Sequence, residues 1–302
     1  MNQQFLERVS KKLPNLDIKK DELLKLHTTF KVGGPADFFA SPSMNELQIL
    51  LQIARESDVP VTVIGNGSNL LVGDKGVRGL VIEIGKHMAD ISVEDTVITA
   101  GAGAILGKVA KSALDAGLGG MEFAAGIPGS VGGAVVMNAG AYGGEMKDIL
   151  ISATVLTADG QIKEIAAENL DLSYRHSCVP DKGYVVLEAK YVLVPKDKVE
   201  IKAQMDELRD KRLDKQPLEF PSAGSTFKRP EGYFAGKLIM DAGLRGYSVG
   251  DAQVSEKHCG FVVNKGNATA NDIVTLIKNV QKKVKEEFDV DLETEVKMIG
   301  EF

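Results

Sequence analysis

Thirteen of the 32 glycines in this chain fall between residues 101 and 144, and six more fall between 65 and 85. Glycine weakens helices and strands, so clusters of this density belong where the backbone turns tightly or meets another group closely. In GIPGSVGGAVVMNAGAYGG, residues Pro128, Gly129, Ser130, Gly132, Gly133, Asn138, Gly140 and Tyr142 stand within fifteen positions. That run implies backbone wrapped around something planar or anionic. A second cluster, GNGSNLL, follows the apolar run Val59–Ile64 and presents Gly65, Asn66, Gly67, Ser68 and Asn69. Amide donors can crowd a pyrophosphate only where side chains are this small. A plain turn between two strands fits the same residues.

GAGAILG at 101–107 invites a dinucleotide-fold reading, which the spacing disfavours. Its third glycine is one place late for GxGxxG, and no acidic residue follows at the required distance. The longest uncharged stretch, Phe123 to Gly144, has the length of a membrane span. Its seven glycines, Pro128 and Asn138 suit a loop system instead. A net charge of -6 argues against a general nucleic-acid binder.

Cys178 and Cys259 are the only cysteines, far apart and without CxxC spacing, which favours a reducing cytoplasm. MNQQFLERVSKKL is charged within its first helix-like turns and has no apolar signal core, so membrane insertion is not expected. His27, His87, His176 and His258 are scattered and form no metal set.

The length suits two or three domains of roughly 100–150 residues. Periodicity predicts strands at 36–41, 59–64, 79–84, 97–100 and 184–194, and helices at 44–57 and 105–116, the latter ending at Gly117. ISATVLTADGQIKEIA reads as a hairpin with a tight Asp159–Gly160 turn. Charged helices at 197–215 and 270–288, with GFVVN and VDLETEVKMI as strands, give the last third a different texture. A boundary near Pro195 follows. Mixed α+β is the class; strand order does not follow from the pattern.

HTTFKVGGPADFF (27–39), VIGNGSNLLVGDKGVRGLVI (63–82) and GIPGSVGGAVVMNAGAYGGE (126–145) together resemble the FAD-binding half of the UDP-N-acetylenolpyruvoylglucosamine reductases. YRHS (174–177), GSTFKRP (224–230) and LETEV (292–296) match that family's later motifs in the same order. The first and third blocks alone mark only the wider vanillyl-alcohol-oxidase-type flavoproteins; the later three are specific.

The resemblance implies an N-terminal helical segment (1–27), an FAD-binding domain (28–195, subdomains about 28–88 and 89–195) and a substrate-binding α+β domain (196–302). It implies non-covalent FAD held by the two glycine loops and NADPH as hydride donor. The substrate would be UDP-N-acetylglucosamine enolpyruvate and the product UDP-N-acetylmuramate, in peptidoglycan precursor synthesis and hence cell wall biogenesis, cell shape and cell division.

Hydride addition to an enol ether places negative charge beside a carboxylate, where it must be delocalised and then quenched by a proton. Cationic or hydrogen-bonding groups and a positioned acid are therefore needed. The resemblance gives Arg175 the carboxylate, Ser225 the proton and Glu295 the developing enolate. Taken alone, Arg175 reads as a surface ion-pair residue and Ser225 as a loop residue. Glu293 and Glu295, two apart on an expected strand, share a face and cannot be told apart by spacing; the family pattern selects Glu295. Thr294 stands where many members have Pro, and Arg229 where some have Asn.

Lys228 is a candidate to stabilise the Ser225 alkoxide. Between Arg175 and Ser225 the only tyrosines are Tyr184 and Tyr191, both in YVVLEAKYVLV, so the chain resembles the class without a substrate-covering tyrosine loop. Tyr233 or a basic residue of the last domain is then the candidate cover. Two other readings stay open: another FAD oxidase or dehydrogenase of the wider family, and a non-catalytic protein binding flavin or a sugar nucleotide.

Overall fold

A computed structural model describes residues 2–302. Packing separates the chain into two compact units. One comprises the residues up to Lys19 with Phe38–Asn66 and Gly79–Lys211; the other comprises Lys20–Asp37, Gly67–Arg78 and Arg212–Phe302.

In the first unit, a five-stranded antiparallel sheet runs in the order Ile162–Ala166, Leu150–Leu156, Val185–Val192, Val97–Gly101, Ile91–Glu94. The helix Leu106–Ala116 buries Leu106, Val109, Ala110, Ala113 and Leu114 and stops at Gly117, whose φ of 72° is the left-handed cap the sequence suggests. Val61–Ile64 pairs in parallel with Val77–Glu83. The helix before this pair, Met44–Glu56, starts in a Ser43/Glu46 capping box and buries Leu47, Leu50, Ile53 and Ala54. A helix at Asn2–Lys12 adds Phe5 and Val9 to this core, with the Phe5 and Phe38 rings 5.3 Å apart.

The hairpin of 150–166 forms, but its turn is wider than expected. Thr157 N–H donates to Gln161 O at 2.8 Å, closing three residues instead of two. A two-residue type I′ turn needs positive φ at both central positions. Here Gly160 supplies it (φ 87°), while the Asp159 carboxylate accepts the Thr157 hydroxyl.

In the second unit, Ser222–Ser225, Phe261–Asn264, Ala252–Val254 and Ser248–Val249 form an antiparallel sheet in that order. The helix Ala270–Phe288 covers it with Ile273, Leu276, Ile277, Val280 and Val284. Its first amides, of Ala270 and Asn271, donate to the Asp74 carboxylate at 2.8 and 3.0 Å. The division differs from a single boundary near Pro195 for a reason visible in the core. Phe30, Val32 and Leu71 are buried with Leu238, Ile239 and Ile273, not with the first unit's apolar residues.

The expected strand VDLETEVKMI is a correction. Residues 292–296 are irregular, held by one antiparallel bridge between Phe227 and Thr294, and regular pairing begins only at Lys297–Ile299, parallel to Leu70–Val72. The glycines of GAGAILG likewise serve packing, since a Cβ on Gly103 would collide with the Gly85 carbonyl.

Candidate active site

The glycine run folds as a short helix, Val131–Val136, followed by a tight hairpin pairing Gly140–Ala141 with Gly144–Glu145. Tyr142 and Gly143 turn it with φ of 52° and 92°, the two positive values that a type I′ turn needs. Tyr142 is exposed there. Asn138 is fully buried: its amide donates to Glu145 Oε2 at 2.7 Å and Ser173 O at 3.1 Å, and its Oδ1 accepts Lys147 N–H at 2.9 Å. That residue fastens the hairpin from inside.

Asn66 Nδ2 donates to Pro128 O at 2.6 Å, which ties the first two residues of GNGSN, Gly65 and Asn66, to the second glycine cluster. A Cβ on Gly65 would collide with Ser130 Oγ. Ser130 precedes the Val131–Val136 helix without capping it, and its buried hydroxyl has no hydrogen-bond partner among the described residues. Burying a hydroxyl unpaired costs about 1–3 kcal/mol. An orphan hydroxyl between two bare glycine backbones fits an anionic group such as a flavin pyrophosphate. Gly65, Asn66, Gly129, Ser130, Gly132 and Gly133 are the residues that would hold it.

The remaining members of GNGSN lie in the second unit. Gly67 has φ 61°, and a Cβ there would strike the His27 carbonyl. Ser68 is half-buried, and the Asn69 side-chain amide donates to Glu295 O at 3.1 Å.

Arg175 sits in the first unit, at a turn closed by the reciprocal Ser173 and His176 main-chain bonds (3.2 and 3.1 Å). It has φ 55°, a conformation uncommon outside glycine. Ser177 anchors the turn through its hydroxyl to Val136 O at 2.8 Å, and Arg175 Nη2 donates to Gly140 O at 3.3 Å. The guanidinium is thereby held near the Gly140 hairpin.

Ser225 and Glu295 come together in the second unit. A bulge between Ser222 and Ser225, with Gly224 at φ 75°, shifts the register against Phe261–Asn264. Beyond it, buried Thr226 donates its N–H to Gly260 O, accepts Val262 N–H at its Oγ1, and accepts Glu295 N–H at its carbonyl, at 2.8, 3.0 and 2.8 Å. Ser225 Oγ bonds to none of the described residues.

The two acids of LETEV part company. Glu293 is 74% exposed and pairs with Lys228 Nζ at 2.9 Å, whereas Glu295 is 9% exposed. The expected shared face fails because this segment is irregular and strand alternation does not hold in it. Lys228 is accordingly engaged with Glu293. Tyr233 is exposed, and the Arg229 guanidinium stacks on the Phe234 ring at 4.1 Å.

Thr226 and the Asn69 contact escaped the sequence reading. A buried threonine beside a serine carries no spacing signal. In the same unit, His258 Nδ1 accepts Gly260 N–H at 3.1 Å, and burial pushes its imidazole below the usual histidine range. Burial pushes the Cys259 thiol up.

Residues 35–166 match the family model of an FAD binding domain, and residues 216–299 match the model described as UDP-N-acetylenolpyruvoylglucosamine reductase, C-terminal domain. The chain is 66% identical to the UDP-N-acetylenolpyruvoylglucosamine reductase of Agathobacter rectalis across the whole of both chains. It is 51% identical to the enzyme of the same name from Clostridium novyi, over 97% of each. A solved structure of UDP-N-acetylenolpyruvylglucosamine reductase (MurB) from Thermus caldophilus matches with a TM-score of 0.82 and 38% identity, covering 94% of this chain and 99% of that one.

Proposed function

The chain belongs to the UDP-N-acetylenolpyruvoylglucosamine reductase (MurB) family, and on that premise we propose that Arg175, Ser225 and Glu295 carry its reaction. The enzyme is an NADPH-dependent flavoprotein oxidoreductase that reduces UDP-N-acetylglucosamine enolpyruvate to UDP-N-acetylmuramate in peptidoglycan precursor synthesis. Bound FAD supplies the hydride relay from NADPH to the enolpyruvyl group.

Arg175 pairs with the enolpyruvyl carboxylate through its planar fork, which neutralises the group into which charge spreads. To Glu295 falls the developing enolate; the residue is buried, and an electrostatic contact made there is worth more than in water. Ser225 delivers a proton to the carbon beside the one that receives hydride. Its hydroxyl is free for that task, and the enolate is basic enough to take a proton from a weak acid.

The observation that carries this reading is the join between the two motifs: Glu295 N–H bonds to the carbonyl of Thr226, the residue next to Ser225. The structure thus offers a buried carboxylate and an uncommitted hydroxyl on adjoining segments. The match of residues 216–299 to the reductase C-terminal domain favours this substrate over that of another oxidase.

Tyr191 is fully buried in the Val185–Val192 strand and Tyr184 is half-buried beside it, in keeping with the class without a tyrosine loop. The free, buried thiols of Cys178 and Cys259 fit a reducing cytoplasm as the place of action. Among the described residues no helix is long and apolar enough to cross a membrane. NADPH oxidation by the purified holoenzyme tests the function. Oxidation dependent on UDP-N-acetylglucosamine enolpyruvate, with stoichiometric UDP-N-acetylmuramate, is expected; turnover indifferent to that substrate would overturn the reading.

A further inference from the structure

The peptide groups around Glu295 are gripped from two directions. Glu295 N–H donates to Thr226 O at 2.8 Å, and Glu295 C=O accepts the Asn69 side-chain amide at 3.1 Å. Two residues on, Lys297 N–H donates to the Asn69 carbonyl at 2.9 Å, and regular parallel pairing of Leu70–Val72 with Lys297–Ile299 starts there. Residue 69 therefore meets 295 with its side chain and 297 with its main chain. Glu295 lies just before that ladder, in the irregular stretch bridged only at Thr294. No strand fixes the direction of its carbonyl; the Asn69 amide does.

We propose that Asn69 is a positioning residue for Glu295: its side-chain amide, by holding the Glu295 carbonyl, sets where the buried carboxylate points. The inference rests on the role given to Glu295 above. It divides the GNGSN motif by task. Gly65 and Asn66 abut the Ser130 loop, while Asn69 serves the acid.

The chemistry of the contact says which replacements matter. Aspartate has nearly the shape of asparagine, but when ionised it offers acceptors only and faces a carbonyl oxygen with like polarity. Alanine deletes the donor. A net hydrogen bond is worth about 0.5–1.5 kcal/mol, so an effect of up to about tenfold on the step that Glu295 serves is expected.

The test uses the FAD-loaded enzyme carrying Asn69→Ala, Asn69→Asp, Glu295→Gln and the Asn69→Ala/Glu295→Gln pair. Each is examined by stopped flow in both half-reactions, by flavin stoichiometry and by hydrogen exchange. Both Asn69 variants should keep full flavin and wild-type bleaching by NADPH, yet slow reoxidation by the enolpyruvyl substrate by up to about tenfold. Peptides covering 292–298 should exchange faster while those covering 261–264 stay protected. In the pair, Asn69→Ala should add nothing to Glu295→Gln, because it acts only through that carboxylate. Additive losses, loss of flavin, or unchanged reoxidation in the Asn69 variants beside a slow Glu295→Gln would overturn the inference alone. A Glu295→Gln enzyme with normal reoxidation would overturn the reading on which it rests.

Discussion

Arg175 Nη2 reaches the Gly140 carbonyl oxygen at 3.3 Å, so the turn that carries the arginine is tied to the glycine hairpin at residues 140–145. Arg175 adopts a left-handed backbone that a side chain accepts only under constraint. The Ser173–His176 bonds and the Ser177 anchor supply that constraint. The guanidinium is set by the fold before any substrate arrives.

Replacing Arg175 with lysine keeps the charge and loses the fork. Arg175→Lys should lower kcat/KM for the enolpyruvyl substrate by about tenfold or more. Flavin content should stay near stoichiometric, as read from the visible spectrum of the purified protein. A folded but colourless Arg175→Lys protein would place the residue with the cofactor instead.

Ser225→Ala separates the two half-reactions if the hydroxyl delivers the proton. A positioned general acid contributes roughly 10²–10⁴-fold, or about 3–5 kcal/mol. Bleaching by NADPH should remain close to wild type in stopped flow, while reoxidation by substrate slows by about two decades or more. Equal slowing of both steps would mark Ser225 as a structural residue.

The orphan hydroxyl of Ser130 makes a two-sided prediction. In the flavin-free protein, Ser130→Ala removes a buried group that has no partner among the described residues, so thermal stability should hold or rise slightly. FAD binding should weaken about tenfold, as lost hydrogen bonds to a charged group do, when measured by flavin fluorescence during titration. Acid denaturation should release all the flavin, since no histidine or cysteine lies within 126–145 to tether it. A Ser130→Ala protein that binds FAD normally but melts earlier would reverse the assignment.

His258 gives the second unit a pH dependence with a definite sign. Burial lowers its pKa in the folded chain, and its Nδ1 must stay unprotonated to accept Gly260 N–H. Below about pH 6.5 the unfolded chain takes up a proton that the folded one resists. Its contribution to stability is therefore complete above that value and is lost as pH falls through the lowered folded pKa. Thermal melts should show a drop in Tm from about pH 7.5 to about pH 5. The drop should be smaller in His258→Gln, which retains an acceptor and cannot titrate. An equal drop in both proteins would assign it to other groups.

The parts of this molecule that follow local rules were readable in the sequence. The amphipathic helix at 44–56, the Gly117 cap and the strand at 185–192 each declare themselves through periodicity or a single punctuating residue. The roles proposed for Arg175, Ser225 and Glu295 rest on motif alone. What distinguishes Glu295 from Glu293 is burial, and burial here comes from an irregular segment braced by Thr226 and Asn69, partners distant in sequence. Strand alternation applied to LETEV misplaces both acids for that reason. The assignment of Phe30, Val32 and Leu71 to the second core was equally hidden, because apolar residues do not announce which core they join.

Asn69 and Glu295 stand 226 positions apart, and the parallel ladder beside them is as distant in sequence. During synthesis, residues 67–78 leave the ribosome long before the segment that pairs with them exists. At about 5–20 residues per second, that interval is on the order of ten seconds or more, during which Leu70–Val72 is an unpaired strand edge. The first unit's own sheet closes earlier, between residues 91 and 192. The order of completion follows from the topology: the half that offers the orphan serine can fold first, and the half that carries the acid and the hydroxyl waits for residues 292–299.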